Sequence, residues 1–213
     1  MSLFVTFEGP EGAGKSTQVR RLQANLACRG YDVVTTREPG GTVIGEAIRQ
    51  ILLTSDHYAM LPETEALLNT AARAQHIAEV IAPSLASGRI VVSDRYVDST
   101  LAYQGAGRGL DEQALLDLQR FATRGLWPDL TILLDVPVEI GQARRAESGE
   151  PLTRFDRDAL AFHERVRQWF LAAARRDPRR WLVVDGTASV EVIEQSILDA
   201  VLSRIEPGGV RGR

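Results

Sequence analysis

The chain is predicted to be an α/β protein, a three-layer α/β/α arrangement around a parallel sheet. Three observations predict it. Short apolar, β-branched runs alternate with helical patterns, as a sheet covered on both faces requires. The first run ends in FEGPEGAGKST (7–17), a glycine-rich turn leading into a helix. The chain has no internal repeat, no low-complexity tract and no linker long enough to divide it.

LFVTFE (3–8) reads as a buried strand that stops at glycine. The 16–29 stretch has helical spacing, with Val19, Leu22 and Leu26 on one face and Gly30 as its stop. YDVVTT (31–36) is a second strand, followed by the turn-rich REPGGT. Helical patterns at 43–53 and 64–86 precede a third strand, RIVVSDRY (89–96). LTILLD (130–135) and WLVVD (181–185) are the fourth and fifth strands. Helices at 111–123, 138–147, 156–176 and 189–204 fill the gaps. The expectation is one domain over 1–205 with a frayed tail at 206–213.

Composition excludes several classes. The 213 residues are 44% hydrophobic and 25% charged with net charge −3, which describes neither a nucleic-acid platform nor a basic membrane surface. The N-terminus lacks a basic n-region, and no apolar stretch approaches a membrane span. One cysteine, Cys28, fits a reducing, cytoplasmic setting and reads as a small core-facing helix residue. The chain carries 24 arginines and a single lysine, Lys15. That lysine falls inside the glycine-rich turn, where a bulky guanidinium fork cannot replace a compact ammonium.

The turn has the pattern Gly-x4-Gly-Lys-Ser through Gly9, Gly14, Lys15 and Ser16, which cradles nucleotide phosphates. Backbone N–H groups of residues 12–16 would face the β-phosphate at a helix start. Lys15 would bridge the β- and γ-phosphates, with the Ser16 hydroxyl on Mg²⁺. Glu11 puts an acid in this loop, so positive charge must arrive from elsewhere. Ligands of such sheets bind beyond the carboxyl ends of the strands, which singles out Glu8, Arg37, Asp94, Arg95, Asp135 and Asp185.

DRYVDSTLAYQGAGRG (94–109) follows the third strand directly. Asp94 is a candidate for the Mg²⁺ water shell; Arg95 could bind a second phosphate or form a structural pair with an acid. Tyr103 and Gln104 add a ring and an amide able to read a base edge. Arg73, in AARAQH (71–76), points either to solvent or to the same site, as do Arg37, Glu38 and Arg49. The arginine-rich stretch at 143–157 reads as a lid.

FEGPEGAGKST, TREPGGT, AARAQH and DRYVDSTLAYQG together resemble the thymidylate kinase family of P-loop nucleoside monophosphate kinases, in order and spacing over nearly the whole chain. The resemblance implies transfer of the ATP γ-phosphoryl to dTMP with Mg²⁺, for dTTP synthesis. It also implies a five-stranded sheet in the order 2-3-1-4-5 and a homodimer. On the ATP side it implicates Gly9, Glu11, Gly12, Ala13, Gly14, Lys15, Ser16 and Thr17, with Arg144 stacking on adenine and Arg145 nearby. On the dTMP side, Arg95 and Arg49 would hold the phosphate, and Glu8 the 3′-hydroxyl or the metal shell. Arg73, Thr100 and Gln104 would read thymine, Tyr103 would crowd the 2′ position, and Glu38, Asn69 and Ser99 complete the set. Asn69 stands where the family usually has phenylalanine. Lys15, Arg95, Glu8 and the lid's Arg154 would be the catalytic group.

Other classes fit less well. A nucleoside kinase leaves Arg95, Arg49 and Arg73 without an acceptor phosphate to bind. A guanine-specific switch needs an Asn-Lys-x-Asp motif, impossible when the only lysine is Lys15. An ATP-driven scaffold would leave the DRY…YQG segment idle.

Overall fold

The computed structural model describes residues 2–54, 60–149, 153, 155 and 158–206. Arg154, much of the expected lid and the expected tail beyond Glu206 lie outside these residues. Strand β1 (Leu3–Glu8) is buried along its whole length between two parallel neighbours, β3 (Ile90–Asp94) and β4 (Leu130–Asp135). β2 (Val33–Arg37) pairs outside β3, and β5 (Trp181–Asp185) outside β4. The sheet order is therefore 2-3-1-4-5, as the resemblance implied.

Because side chains alternate along a strand, β1 feeds two separate cores. Leu3, Val5 and Phe7 pack with Leu22 and Leu26 of α1 (Lys15–Cys28) and with Ile197 and Val201 of α9 (Val190–Ile205). Phe4 faces the other way, onto Val91, Tyr96, Ile77 and Ile81. The apolar run needed no polar gaps because both faces are covered. Cys28 is a correction: it is exposed. It follows the inward-facing Leu26 by two residues, roughly 200° around the helix at 3.6 residues per turn.

α2 (Val43–Leu53), α6 (Glu112–Thr123) and α7 (Val138–Glu147) lie where helical patterns were read, and α8 (Leu160–Arg176) begins four residues late. The expected 64–86 helix consists of α3 (Pro62–His76), a π-helical turn at Ile77–Ile81 and α4 (Ala82–Ala86). One helical region had no counterpart in the sequence reading. After β3, α5 (Val97–Thr100) runs into a π-helical segment, Leu101–Gly107. Two glycines disfavour a helix here, but tertiary packing overrides that preference. A Cβ on Gly107 would lie 2.5 Å from the Phe162 ring, so glycine is what lets α8 approach.

A buried ion pair ties α5 to the start of β5. Asp98, 1% exposed, accepts from Arg180 at 2.6 and 3.0 Å, while Arg180 also donates to Thr131 Oγ1 at 3.0 Å. Removing the guanidinium strands a carboxylate beneath the sheet. Arg180→Ala is therefore expected to destabilise the fold by about 3 kcal/mol. Urea unfolding of the variant and parent measures this; a loss under about 0.5 kcal/mol would show the pair to be energetically idle.

Candidate active site

Beyond the carboxyl ends of β1 and β3 lies a cavity of about 510 Å³. All the described residues singled out for phosphate, base or metal contact line it, except Glu8 and Gly9, which lie behind the wall. The segments converge because the parallel register sets Phe7 beside Asp94 and Arg37 beside Asp94 in turn.

The phosphate loop packs directly on α7. A Cβ on Gly12 (φ +71°) would come within 2.0 Å of the Gly141 carbonyl oxygen, so no larger residue fits. Lys15 folds back across the loop, its Nζ donating to the carbonyls of Gly9 (3.1 Å) and Pro10 (2.8 Å). Burial, then Arg95, pulls the Lys15 pKa down, against support from Glu11, Asp94 and Glu8. Ser16 Oγ donates to Asp94 Oδ2 at 2.9 Å. These two hard oxygens suit Mg²⁺, which takes few protein ligands and completes its shell with phosphates and water. No self-contained cluster of three or more His, Cys, Asp or Glu occurs among the described residues.

Arg95 answers the question posed by Glu11. It sits at φ +73°, in the left-handed region, immediately after β3. Its Nη2 donates to Glu11 Oε1 (2.7 Å) and to the Tyr103 hydroxyl (3.0 Å), and Nη1 donates to Ser99 Oγ (3.0 Å). Partial burial pushes the Glu11 carboxyl up, but Arg95, Lys15 and Arg145 outweigh it and hold it down at about 2. A guanidinium has five N–H donors. Among the described residues, Nε and one Nη1 hydrogen of Arg95 remain for an anion in the cavity.

The opposite wall carries the groups suited to a base. Arg73 is 2% exposed and spends four donors on the protein: Nε on Glu38 Oε2 (2.7 Å), Nη1 on Thr100 Oγ1 (2.9 Å) and Gln119 Oε1, and Nη2 on the Tyr96 carbonyl (2.9 Å). Arg73 thus faces neither solvent nor a surface acid, and among the described residues one Nη2 hydrogen is left over. Glu38 also binds His76 Nδ1 at 2.9 Å. Arg49 Nη1 donates to the Pro39 carbonyl at 2.8 Å. Asn69 donates back to the Glu65 carbonyl of its own helix at 2.9 Å. Tyr103 is wedged edge-on against Phe155, Phe162 and Phe170, which leaves its ring little freedom beside the cavity.

Not every strand-end candidate joins the site. Asp135 is held by Arg167 in a bidentate pair at 2.7 and 3.0 Å, and Asp185 accepts from Thr187 N–H and Oγ1. Neither lines the cavity. Arg144 does, with Nη1 on the Gly186 carbonyl at 2.8 Å. The sequence reading missed Arg20, Pro39, Leu53, Ser148, Thr153 and Phe155 as individual lining residues. Arg20 carried a usable signal, since it lies four residues after Ser16 on the same helix face. Ser148, Thr153 and Phe155 fall within the expected 143–157 lid and Pro39 within REPGGT, whereas Leu53 depends on chain folding that no local pattern encodes.

Glu8 is fully buried, accepting from Tyr96 N–H at 2.8 Å and from the Ser99 hydroxyl. Burial, then the nearby Asp98 carboxylate, raises its pKa from 4.5 to about 8, against the pull of Arg95 and those hydrogen bonds. The folded protein thus keeps a proton that the unfolded chain releases above pH 4.5. Stability contributed by that protonated carboxyl falls as pH rises across the 4.5–8 window. Glu8→Gln has no proton to lose. The Tm of Glu8→Gln relative to the parent should therefore climb between about pH 5 and about pH 8 by several degrees. A gap that stays flat with pH contradicts the assignment.

Known proteins resemble this chain over nearly its whole length. The family model described as thymidylate kinase matches residues 7–197. The chain is 59% identical to the thymidylate kinase of Thermomicrobium roseum over 98% of both chains. It is 50% identical to that of Geobacter sulfurreducens, over 96% of this chain and 99% of the relative. The crystal structure of thymidylate kinase from Ehrlichia chaffeensis superposes with a TM-score of 0.75 at 32% identity, covering 94% of this chain and 98% of that one. Family match, near full-length identity and shared fold agree: the chain belongs to the thymidylate kinase family.

Proposed function

We propose that this chain transfers the γ-phosphoryl group of ATP to dTMP, giving ADP and dTDP, as a cytoplasmic homodimer that uses Mg²⁺. The observation that carries this reading is one cavity with two differently equipped ends. One end has a glycine-rich loop with a buried lysine; the other has Arg73, Thr100 and Gln104; Arg95 is hydrogen-bonded to Glu11 of the loop and to Ser99 and Tyr103.

The chemistry needs little from the protein beyond positioning and positive charge. An acceptor phosphate oxygen is already an anion, so no general base is required to create the nucleophile. Arg95, braced by Glu11, Ser99 and Tyr103, directs its remaining donors at that phosphate, with Arg49 as the second cation. Loop N–H groups and Lys15 hold the β- and γ-phosphates; Lys15 must leave the Gly9 and Pro10 carbonyls to do so. Glu8 is fully buried behind the wall and bears on the sugar 3′-hydroxyl through Ser99, which lines the cavity and donates its hydroxyl to Glu8. Ser16 and Asp94 would hold Mg²⁺, whose charge would offset that of the nucleotide phosphates. Arg144 is assigned to the adenine side, and Arg145 and Arg154 to the transferring group.

Two features support the remaining parts of the reading. Among the described residues no helix is long and apolar enough to cross a membrane. α2 and α3 pack together and leave Val43, Ile44, Ile51 and Leu67 exposed, an apolar face suited to a second copy.

A coupled ADP-release assay across dTMP, dCMP, UMP and thymidine tests the activity. dTMP should exceed dCMP in kcat/KM by about 10²-fold or more, and thymidine should be inert. Lys15→Ala should lower kcat at least about 10²-fold while circular dichroism stays unchanged. Near-normal turnover in the folded variant would end the phosphate-loop assignment. For the dimer, Val43→Glu with Ile51→Glu should halve the mass measured by light scattering; an unchanged mass would place the interface elsewhere.

A further inference from the structure

Gln104 has one hydrogen bond among the described residues: its Nε2 donates to Glu65 Oε1 at 2.6 Å. Glu65, on α3, is fully buried and does not line the cavity. Arg108, just past the π-helical segment, closes on the same carboxylate, with Nε 3.4 Å from Oε1 and Nη2 3.3 Å from Oε2. Arg108 is itself fixed by a two-pronged pair with Asp158 at 2.7 and 2.8 Å and lies 4.4 Å over the Phe162 ring. A buried acid on this helix face carries a desolvation cost that an apolar residue would avoid. Packing alone does not account for it.

Orientation does. A carboxylate paired with a guanidinium offers only lone pairs, so it accepts the NH₂ end of the Gln104 amide. Turning the amide over would set its carbonyl oxygen against that carboxylate. Oε1 is therefore the end of Gln104 left for the cavity, and it is an acceptor. The geometry points to Glu65, backed by Arg108, as the positioning residue that sets base selection by fixing which end of the Gln104 amide meets the acceptor base. This rests on the dTMP reading of the pocket. Thymine presents an N3–H donor where cytosine presents a bare ring nitrogen. An acceptor oxygen pairs with the first and repels the second, whereas a flipped amide would do the reverse. Arg73 reinforces the choice, since its leftover Nη2 hydrogen suits O4 of thymine rather than the amino group of cytosine.

The test compares dTMP, dUMP and dCMP as acceptors for the parent, Glu65→Gln, Glu65→Asp and the exchange Glu65→Gln/Gln104→Glu. An amide at position 65 can donate or accept, so Gln104 is no longer held one way. Glu65→Gln should raise KM for dTMP about tenfold with little change in kcat or in KM for ATP, and the dTMP/dCMP ratio of kcat/KM should fall by about tenfold or more. dUMP, which shares the N3–H edge, should follow dTMP. In the exchange, the new amide donates to the new carboxylate at position 104, which again turns an acceptor oxygen to the base, so much of the ratio should return. A purely structural role for Glu65 predicts no such recovery.

A folded Glu65→Gln with the parent's dTMP/dCMP ratio overturns the Glu65 role while leaving the dTMP reading intact, whereas Glu65→Asp, which keeps an acceptor-only carboxylate, should retain more of that ratio than Glu65→Gln. A parent without dTMP activity overturns the dTMP reading itself. Should both variants fail to fold, the parent supplies the answer through the Gln104 side-chain NH₂ resonance, assigned by its loss in Gln104→Leu. Slow hydrogen exchange that persists when dTMP saturates the site supports the pinned amide; fast exchange in either state overturns it.

Discussion

The Glu11–Arg95 contact is the interaction on which the rest of the site depends. It joins the phosphate loop to the turn after β3 at 2.7 Å, across a sequence separation that no local preference could bridge. An acid in a phosphate-binding loop opposes its ligand unless a cation answers it. Arg95 does so from an uncommon left-handed backbone position, and a strained residue persists only where its surroundings over-determine it. Glu11, Ser99 and Tyr103 are those surroundings. The same three contacts that hold the loop also orient the guanidinium toward the cavity.

The sheet makes this convergence possible. β1 divides its side chains between two cores, and the two halves have different tasks. Leu3, Val5 and Phe7 pack against α1 and α9 and fix the helix whose first turn is the phosphate cradle. The even positions face the other layer: Phe4 on Tyr96, Thr6 on Thr131, and Glu8 beneath Ser99. Donor-side and acceptor-side machinery thus hang from opposite faces of one central strand. Their separation is set by the sheet rather than by flexible loops.

Buried ionisable groups are concentrated on the acceptor side. Glu8, Glu38, Glu65, Arg73 and Asp98 are all nearly or fully buried, and each has an ionic or hydrogen-bonding partner. Such networks cost solvation and return orientation. Arg73 shows the exchange in detail: four of its donors hold Glu38, Thr100, Gln119 and Tyr96 in place, which leaves a single direction for the remaining one.

Much of the molecule was legible in the residues themselves. Apolar runs located five strands, three of them, Leu3–Glu8, Leu130–Asp135 and Trp181–Asp185, to the residue, and for the first two the reason is that a strand covered on both faces leaves a nearly continuous hydrophobic signature. The glycine spacing and the solitary Lys15 located the phosphate loop, because only small residues and a compact ammonium fit that cradle. The sheet order and the acceptor residues came instead from the resemblance of several separated motifs, not from any local pattern. Tertiary structure decided the rest. It made 97–107 helical against its two glycines because α8 packs there, and it turned Cys28 outward. It committed Asp135 to Arg167 and Arg95 to Glu11. A side chain's charge is written in its own residue, but its partner is chosen by whatever the fold brings within 3 Å or so.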